Sequence, residues 1–462
     1  MISVNCLITA LPAKRADGER TIHAMFQHAD ATALADELTD LRRRLHRDPE
    51  LGLDLPRTQG RVLEALDGLP LEITTGRGLS SVTAVLRGGR PGPAVLLRAD
   101  MDALPVTEDT GLPYASENPG VMHACGHDLH TAGLVGAARL LAARREELAG
   151  DVVFMFQPGE EGDGGARIMI EEGVLDAAGS RVVAAYGLHV FSTQVPKGIV
   201  ATRPGTLLAA SDTFDVTVTG RGGHGSMPHL TRDPVVAACD MVTALQTRLA
   251  REIDVHDPAV ITVGVFHAGT ARNVVPGTAE FSATVRTFSE AARDQVQALV
   301  ERTLRGVAAA HDVDVRVDYG RQYPATVNPP AEAAFALGTA LDLFGPTRVF
   351  EAPRPVSGSE DFSFVLHQVP GAFLAVGACP PDRDPATAPV NHSPQAVYDD
   401  GVLPDQALLL ATLAARRLAL QAPGTAAGPT GPDATGPGAT ALPSTPPATG
   451  TAAAPTTAGE GA

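Results

Sequence analysis

Tryptophan is absent from the 462 residues and aromatics make up only 4% of them, so Ala, Val and Leu must fill the core. Cysteine is scarce. Cys6, Cys125, Cys239 and Cys379 are widely spaced, which excludes a disulfide framework and fits a reducing, cytoplasmic setting. Basic charge is in deficit: 36 Lys and Arg face 53 Asp and Glu, a formal net charge of −17. Such a surface repels nucleic acid and anionic membrane, so neither is expected as a partner, although a local basic spot can still bind an anionic substrate. No apolar run approaches the roughly 20 residues that cross a bilayer. The opening MISVNCLITALPAKRADGER places its basic residues after a short apolar stretch, the reverse of a secretory signal.

What is present is length and alternation. At roughly 100–200 residues per domain, the chain has room for two or three domains. Residues 31–47 read as an amphipathic helix, with Leu38, Leu41 and Leu45 at helical spacing and Pro49 beyond its end. Strand-like runs follow at 81–86, 94–99, 152–157 and 182–190, separated in several places by helical segments such as 129–148. Strands alternating with helices predict an α/β fold: a mixed, mostly parallel sheet with helices on both faces. Near residue 206 the pattern changes. TFDVTVTG (213–220) alternates cleanly and precedes a helix over 233–250. Strands at 259–269 and 279–288, a helix over 289–310 and the strand VDVRVDYG complete the block. That β-α-β-β-α-β order is the order of a ferredoxin-like α+β sandwich. An inserted domain is therefore expected at 206–321, within a main domain made of 30–205 and 322–422. Residues 1–29 read as a disordered leader. Residues 423–462, rich in Ala, Gly, Pro and Thr, read as a disordered tail, because such a composition cannot offset chain entropy by burial.

Four short segments carry the chemistry, each ending a strand or lying just beyond one, where open α/β sheets place their sites. In RADMDALP, Asp100 and Asp102 are spaced so that both point the same way in extended chain. In MHACGHDLH, His123, Cys125 and His127 recur every second residue, so an extended chain would put two imidazoles and a thiol on one face, a donor set that suits a transition metal. In QPGEEGDGGA, Glu160 and Glu161 are held together and repel each other. One can bind a cation while the other, with a raised pKa, moves protons. His189 in YGLHVF and His392 in VNHSPQA are solitary, and a lone histidine at a strand end is usually structural. Taken together, Cys125, His127, Glu161, His189 and His392 are too many ligands for one tetrahedral zinc and suit two ions that share a bridging ligand.

LHRDPELG, LLRADMDALPV, MHACGHDLHTA, FQPGEEG, GLHV, GRGGHGSMPH, ARNVVPG and GSEDFSF occur in this order between about 37 and 421. In them the chain resembles the aminoacylase/carboxypeptidase family of dinuclear metallohydrolases, within it the hippurate hydrolase and indole-acetyl-amino-acid amidohydrolase branch. The resemblance implies a zinc-peptidase-like catalytic domain with an inserted ferredoxin-like dimerisation lid, and hence a homodimer. It implies two divalent ions (Mn or Zn, with Co or Ni permitted by the donor set) on Cys125, His127, Glu161, His189 and His392. It implies Glu160 as proton shuttle, Asp102 as orienter of a ligand, His224 as an oxyanion stabiliser reaching the partner subunit's site, and Asn273 and Arg286 near the substrate's carboxylate. Glu360 and Asp361 are expected to support the site through hydrogen bonds. The sequence departs from the branch after PELG, where it reads LDLPRTQG, and at Pro329 and Pro330, which leaves the local fit of the substrate open.

The implied activity is hydrolysis of the amide bond of a small N-acyl amino acid by a metal-activated water. Within that class the alternatives are a dipeptidase or carboxypeptidase and an N-acetyl-diaminopimelate deacetylase. Outside it stand a cysteine hydrolase built on Cys125, which chelators would spare, and a non-catalytic protein with a structural metal site, which would have no use for a Glu–Glu pair.

Overall fold

The computed structural model describes residues 25–421. The expected tail lies outside them, as does most of the expected leader. Order begins earlier than residue 30, however: Phe26 is buried in the core, and a helix starts at His28. The helix expected over 31–47 is broken into His28–Thr32 and Ala35–Arg47, with Leu38, Leu41 and Leu45 buried as their spacing requires.

An eight-stranded sheet forms the main body. Its spatial order is Leu71–Thr75, Val82–Leu86, Ala149–Gln157, Arg90–Asp100, Ala184–Pro196, Gly371–Cys379, Val200–Thr202 and Val349–Glu351. The central strands pair in parallel, and antiparallel partners join at Val82–Leu86 and Val200–Thr202. The fold is thus a mixed α/β sheet, mostly parallel at its centre. Alternation along the strands fills both faces. In Ala149–Gln157, Val152, Phe154 and Phe156 join the larger core with helices Ala35–Arg47, His127–Ala143 and Leu403–Leu420, while Val153 and Met155 enter a second core with Met169, Phe362 and Phe373.

Between Val200–Thr202 and the return to this sheet at Val349–Glu351, the chain makes a separate four-stranded antiparallel sheet. Its order is Ala259–Ala268, Thr278–Thr287, Ala210–Thr219, Asp314–Tyr323. Helices Pro234–Glu252 and Glu290–His311 pack on it around Phe214, Val216, Val218, Phe281, Met241, Leu245 and Leu299. Among the described residues, no helix is long and apolar enough to cross a membrane.

Candidate metal and hydrolytic site

Strands Arg90–Asp100, Ala149–Gln157 and Ala184–Pro196 run parallel, so their C-terminal ends share one edge of the sheet. The first delivers Asp100 and Asp102, the second the turn with Glu160 and Glu161, and the third His189. Cys125 and His127 flank Gly126, at the start of helix His127–Ala143. Gly126 has φ +90°, and a Cβ on it would lie 2.4 Å from Val190 Cγ2, so only glycine lets the chain reverse there. His392 lies beyond strand Gly371–Cys379 and also has a positive φ of 71°, an uncommon state for a side-chain-bearing residue. Its backbone N–H donates to the Ala124 carbonyl at 2.8 Å, which ties this loop to the Cys125 segment.

The five expected ligands and Glu160 converge. Cys125 Sγ is 3.3 Å from His189 Nε2 and 3.2 Å from His392 Nε2. Glu161 Oε1 is 3.3 Å from His392 Nε2 and 3.9 Å from His127 Nε2. One candidate atom from each of His127, Glu160 and Glu161 also lies within 4.8 Å of the others. The tautomers suit this gathering. His127 Nδ1–H donates to the Asp102 carbonyl at 2.9 Å and His189 Nδ1–H to the Val190 carbonyl at 2.8 Å, so both Nε2 lone pairs are left for the pocket. His127 Nε2 and Glu161 Oε1 are buried with no hydrogen-bond partner among the described residues. A buried lone pair without a donor is costly, and a cation is the partner that imidazole, thiolate and carboxylate have in common. The residues present therefore fit divalent metal ions.

Glu160 is buried, and its carboxyl has no hydrogen-bond partner among the described residues. Burial, then the charges of Glu360 and Glu161, hold it well above the usual carboxylate range. Burial pushes the Cys125 thiol up as well, with Glu161 adding to it, the opposite of what a free thiolate nucleophile needs.

Behind the pocket the fully buried Arg98 guanidinium binds Asp100 at 2.7 Å, Glu360 at 2.8 Å, Asp361 at 2.9 Å and Gln157 at 2.9 Å. Burial raises Glu360 to about 8, with Arg98 opposing and Asp100 and Asp361 reinforcing. Asp100 Oδ1 accepts the His130 Nδ1–H at 2.6 Å, and His130 Nε2 accepts the Val190 N–H at 2.8 Å. Both His130 nitrogens are thus occupied, and the ring braces the strand next to His189.

Several expectations need correction or placement. His123 does not share a face with Cys125 and His127, because the chain turns into a helix at Gly126. It is buried beside His46, ring centroids 6.3 Å apart, with neither nitrogen hydrogen-bonded. Asp102 touches His127 chiefly through its backbone carbonyl, its carboxylate oxygen lying at 3.4 Å, while Oδ2 accepts the Glu161 N–H at 2.9 Å. Arg286 lines the same cavity of about 490 Å³ as Cys125, Glu160, Glu161, His189 and His392. It is half-buried, and its guanidinium contacts the Ser211 hydroxyl and the Val285 carbonyl, with no carboxylate in ion-pair range among the described residues. His224 and Asn273 do not line this cavity. They are exposed on a short ribbon, Gly223–His224 against Val274–Val275, where Ser226 donates to His224 Nδ1. Arg98 and His130 stand in the motifs singled out from the sequence but had no assigned part, and Tyr323, treated below, had no signal beyond its place in QYP.

An α/β sheet whose strand ends gather thiol, imidazole and carboxylate donors around a spare buried glutamate defines a metal-dependent hydrolase. Residues 96–416 match the model of peptidase family M20/M25/M40. The chain is 38% identical over 387 residues to IAA-amino acid hydrolase ILR1-like 4 of Arabidopsis thaliana, covering 83% of this chain and 86% of that protein. It is 36% identical over 391 residues to thermostable carboxypeptidase 1 of Saccharolobus solfataricus, covering 84% and 97%. The crystal structure of the Bacillus subtilis YXEP protein, described as a dinuclear metal binding peptidase from the M20 family, superposes with a TM-score of 0.72 at 33% identity, over 84% of this chain and 99% of that one. The chain belongs to peptidase family M20/M25/M40.

Proposed function

We propose that this protein hydrolyses the amide bond of small N-acyl amino acids, hippurate-like or indole-acetyl-amino-acid-like. The observation that carries this is Glu160, a buried carboxyl left unbonded beside a converged ligand set. Cys125, His127, Glu161, His189 and His392 would hold two divalent ions, Mn or Zn foremost. Bound there, such ions supply Lewis acidity and make a water acidic near neutral pH. Glu160 takes the proton of the attacking water and returns it to the departing amine nitrogen, a task for which its upward-shifted pKa suits it. Asp102 fixes the Glu161 backbone and the His127 ring through the contacts above. Arg286, a cation without a carboxylate, receives the substrate's own carboxylate. Leu207, Leu208, Phe191 and Phe373 line the same cavity, which suits an apolar acyl group.

The block at 206–321 serves as a ferredoxin-like lid and dimerisation domain. Its strand order and two crossover helices support that assignment, as does its edge strand Ala259–Ala268, which leaves Val260, Val265 and Phe266 exposed where a second copy can add strands. His224, which does not line the cavity of its own chain, would then act on the oxyanion in the partner's site, and Asn273 near the substrate's carboxylate. The deciding experiment strips the protein of metal, reloads it with Zn, Mn, Co or Ni, and screens N-acetyl, N-benzoyl and indole-acetyl amino acids together with their carboxamides. Cleavage restored by metal, and lost when the free carboxylate is amidated, is the expected result. Cleavage of dipeptides alone would move the assignment to a dipeptidase.

A further inference from the structure

The turn that bears Glu160 contains Gly159, Gly162, Gly164 and Gly165, a backbone with little stiffness of its own. Five of its amides nonetheless find partners from other elements or across the turn. Glu161 N–H goes to Asp102, Ala166 N–H to Asp361 at 2.9 Å, and Gly165 N–H to the Gly159 carbonyl at 3.1 Å. Gly165 packs so closely that an added Cβ would lie 1.7 Å from the Pro158 oxygen. In the middle of the turn Gly162 N–H is shared between the Glu160 carbonyl, at 2.8 Å, and a side-chain oxygen that also takes Gly164 N–H. Tyr323 Oη accepts from Gly162 N–H at 3.0 Å and Gly164 N–H at 3.2 Å, and donates to the Glu160 carbonyl at 2.8 Å.

Tyr323 comes from elsewhere. It is the last residue of strand Asp314–Tyr323, the point where the four-stranded sheet hands the chain back to the main body. The register against Ala210–Thr219 shifts between Arg321 and Tyr323, leaving Gln322 as an extra residue and pairing Tyr323 with Ser211. Such a bulge re-aims the side chains beside it. Here it sends the buried tyrosine to the acidic turn, where the Phe364 ring meets it edge-on at 5.9 Å. Tyr323, its pairing partner Ser211 and the bulged Gln322 all line the same cavity as Glu160.

We propose that Tyr323 is a positioning residue: its hydroxyl clamps the glycine-rich turn to the base of the four-stranded sheet and so fixes where the Glu160 carboxyl stands. Burial, with Asp361 and Glu160 nearby, pushes the phenol's pKa up, so the donor to the Glu160 carbonyl stays protonated. The kinetic part of this proposal rests on Glu160 carrying the proton in the reaction proposed above; the restraint on the turn does not.

Tyr323→Phe tests both, since it deletes one oxygen and keeps the ring. Metal-loaded wild type and variant are compared by steady-state kinetics on the best substrate of the panel, by metal content, and by hydrogen exchange of the peptide covering 158–166. The expected result is a kcat lower by roughly 10–100-fold, the scale of a misplacement near 1 Å, with KM within about twofold and metal content unchanged. The Gly164 amide, stripped of its acceptor, should exchange at least about tenfold faster, and Gly162, which keeps the Glu160 carbonyl at 2.8 Å, by less. Unchanged exchange would overturn the clamp. Faster exchange with wild-type kcat, or a kcat loss that tracks metal loss, would overturn the positioning role. If wild type cleaves nothing in the panel, the amidohydrolase assignment fails, while the exchange comparison still decides the clamp.

Discussion

Replacing Glu160 by glutamine separates two consequences of one carboxyl. The side chain keeps its size, so the pocket and the ligand set remain, but the amide cannot accept and return a proton. A positioned acid–base group is worth roughly 10²–10⁴ in rate, or about 2.7–5.5 kcal/mol of barrier. Stability should move the other way. Burial and the neighbouring Glu360 and Glu161 raise the folded-state pKa of Glu160. For an acid, a raised folded pKa means that ionisation is disfavoured in the native state. Its cost is therefore absent below the unfolded pKa and grows as pH rises from there toward the folded value. Glutamine has no such cost. Glu160→Gln in metal-stripped protein should unfold at the same or a higher temperature than wild type at pH 7, and the difference should close near pH 4. Kinetics with calorimetry at both pH values checks this. Near-normal turnover would refute the proton-carrier role. Lost turnover together with a melting point several degrees lower would refute the reasoning, because glutamine would then have broken a structure that the carboxyl was holding.

Two other outcomes follow from the packing. Asp128, fully buried, binds Arg42 Nε at 2.7 Å and His46 Nδ1 at 2.8 Å. Asp128→Asn leaves the buried Arg42 guanidinium with Asp400 alone, at 3.1 Å, and should lower stability in urea unfolding by up to about 3–5 kcal/mol. Despite burial, Arg42 and His46 hold that carboxyl far below its usual range, so its contribution is lost as pH falls, and wild type should lose more stability on acidification than the variant. Val265→Lys places a charge on the exposed edge strand Ala259–Ala268 and should weaken self-association at least about tenfold in light scattering, by repulsion across a paired edge. A wild-type monomer, or an undisturbed dimer in the variant, would end the edge-pairing model.

Much of this architecture was legible because it follows from local chemistry. Alternating runs such as VVFMFQ, with Phe154 and Met155 in different cores, fill two faces of a sheet, and TFDVTVTG buries one face through Phe214, Val216 and Val218. The candidate ligands were legible because thiol, imidazole and paired carboxylates at strand ends have few other uses. The misses share a cause. His123 looked equivalent to His127 while the segment was read as extended. One glycine with positive φ turned the chain into a helix and sent the two rings to different places. Arg98 is unremarkable within a strand, and only the approach of Glu360 and Asp361, more than 260 residues away, makes it the hub of a buried charge cluster.

The sequence by itself determined the kinds of group available: which side chains can bind a cation, that one of two adjacent carboxyls can be spared to move a proton, and which segments must be strands. Tertiary structure alone decided their partners. It chose the His127 tautomer by offering the Asp102 carbonyl, gave Arg286 a hydroxyl and a carbonyl but no ion-pair carboxylate among the described residues, and brought the Tyr323 hydroxyl across 163 positions to the turn that carries Glu160. The reason is physical. A residue's donors and acceptors are fixed by its type, but whether a lone pair is used or left open depends on what the fold buries beside it.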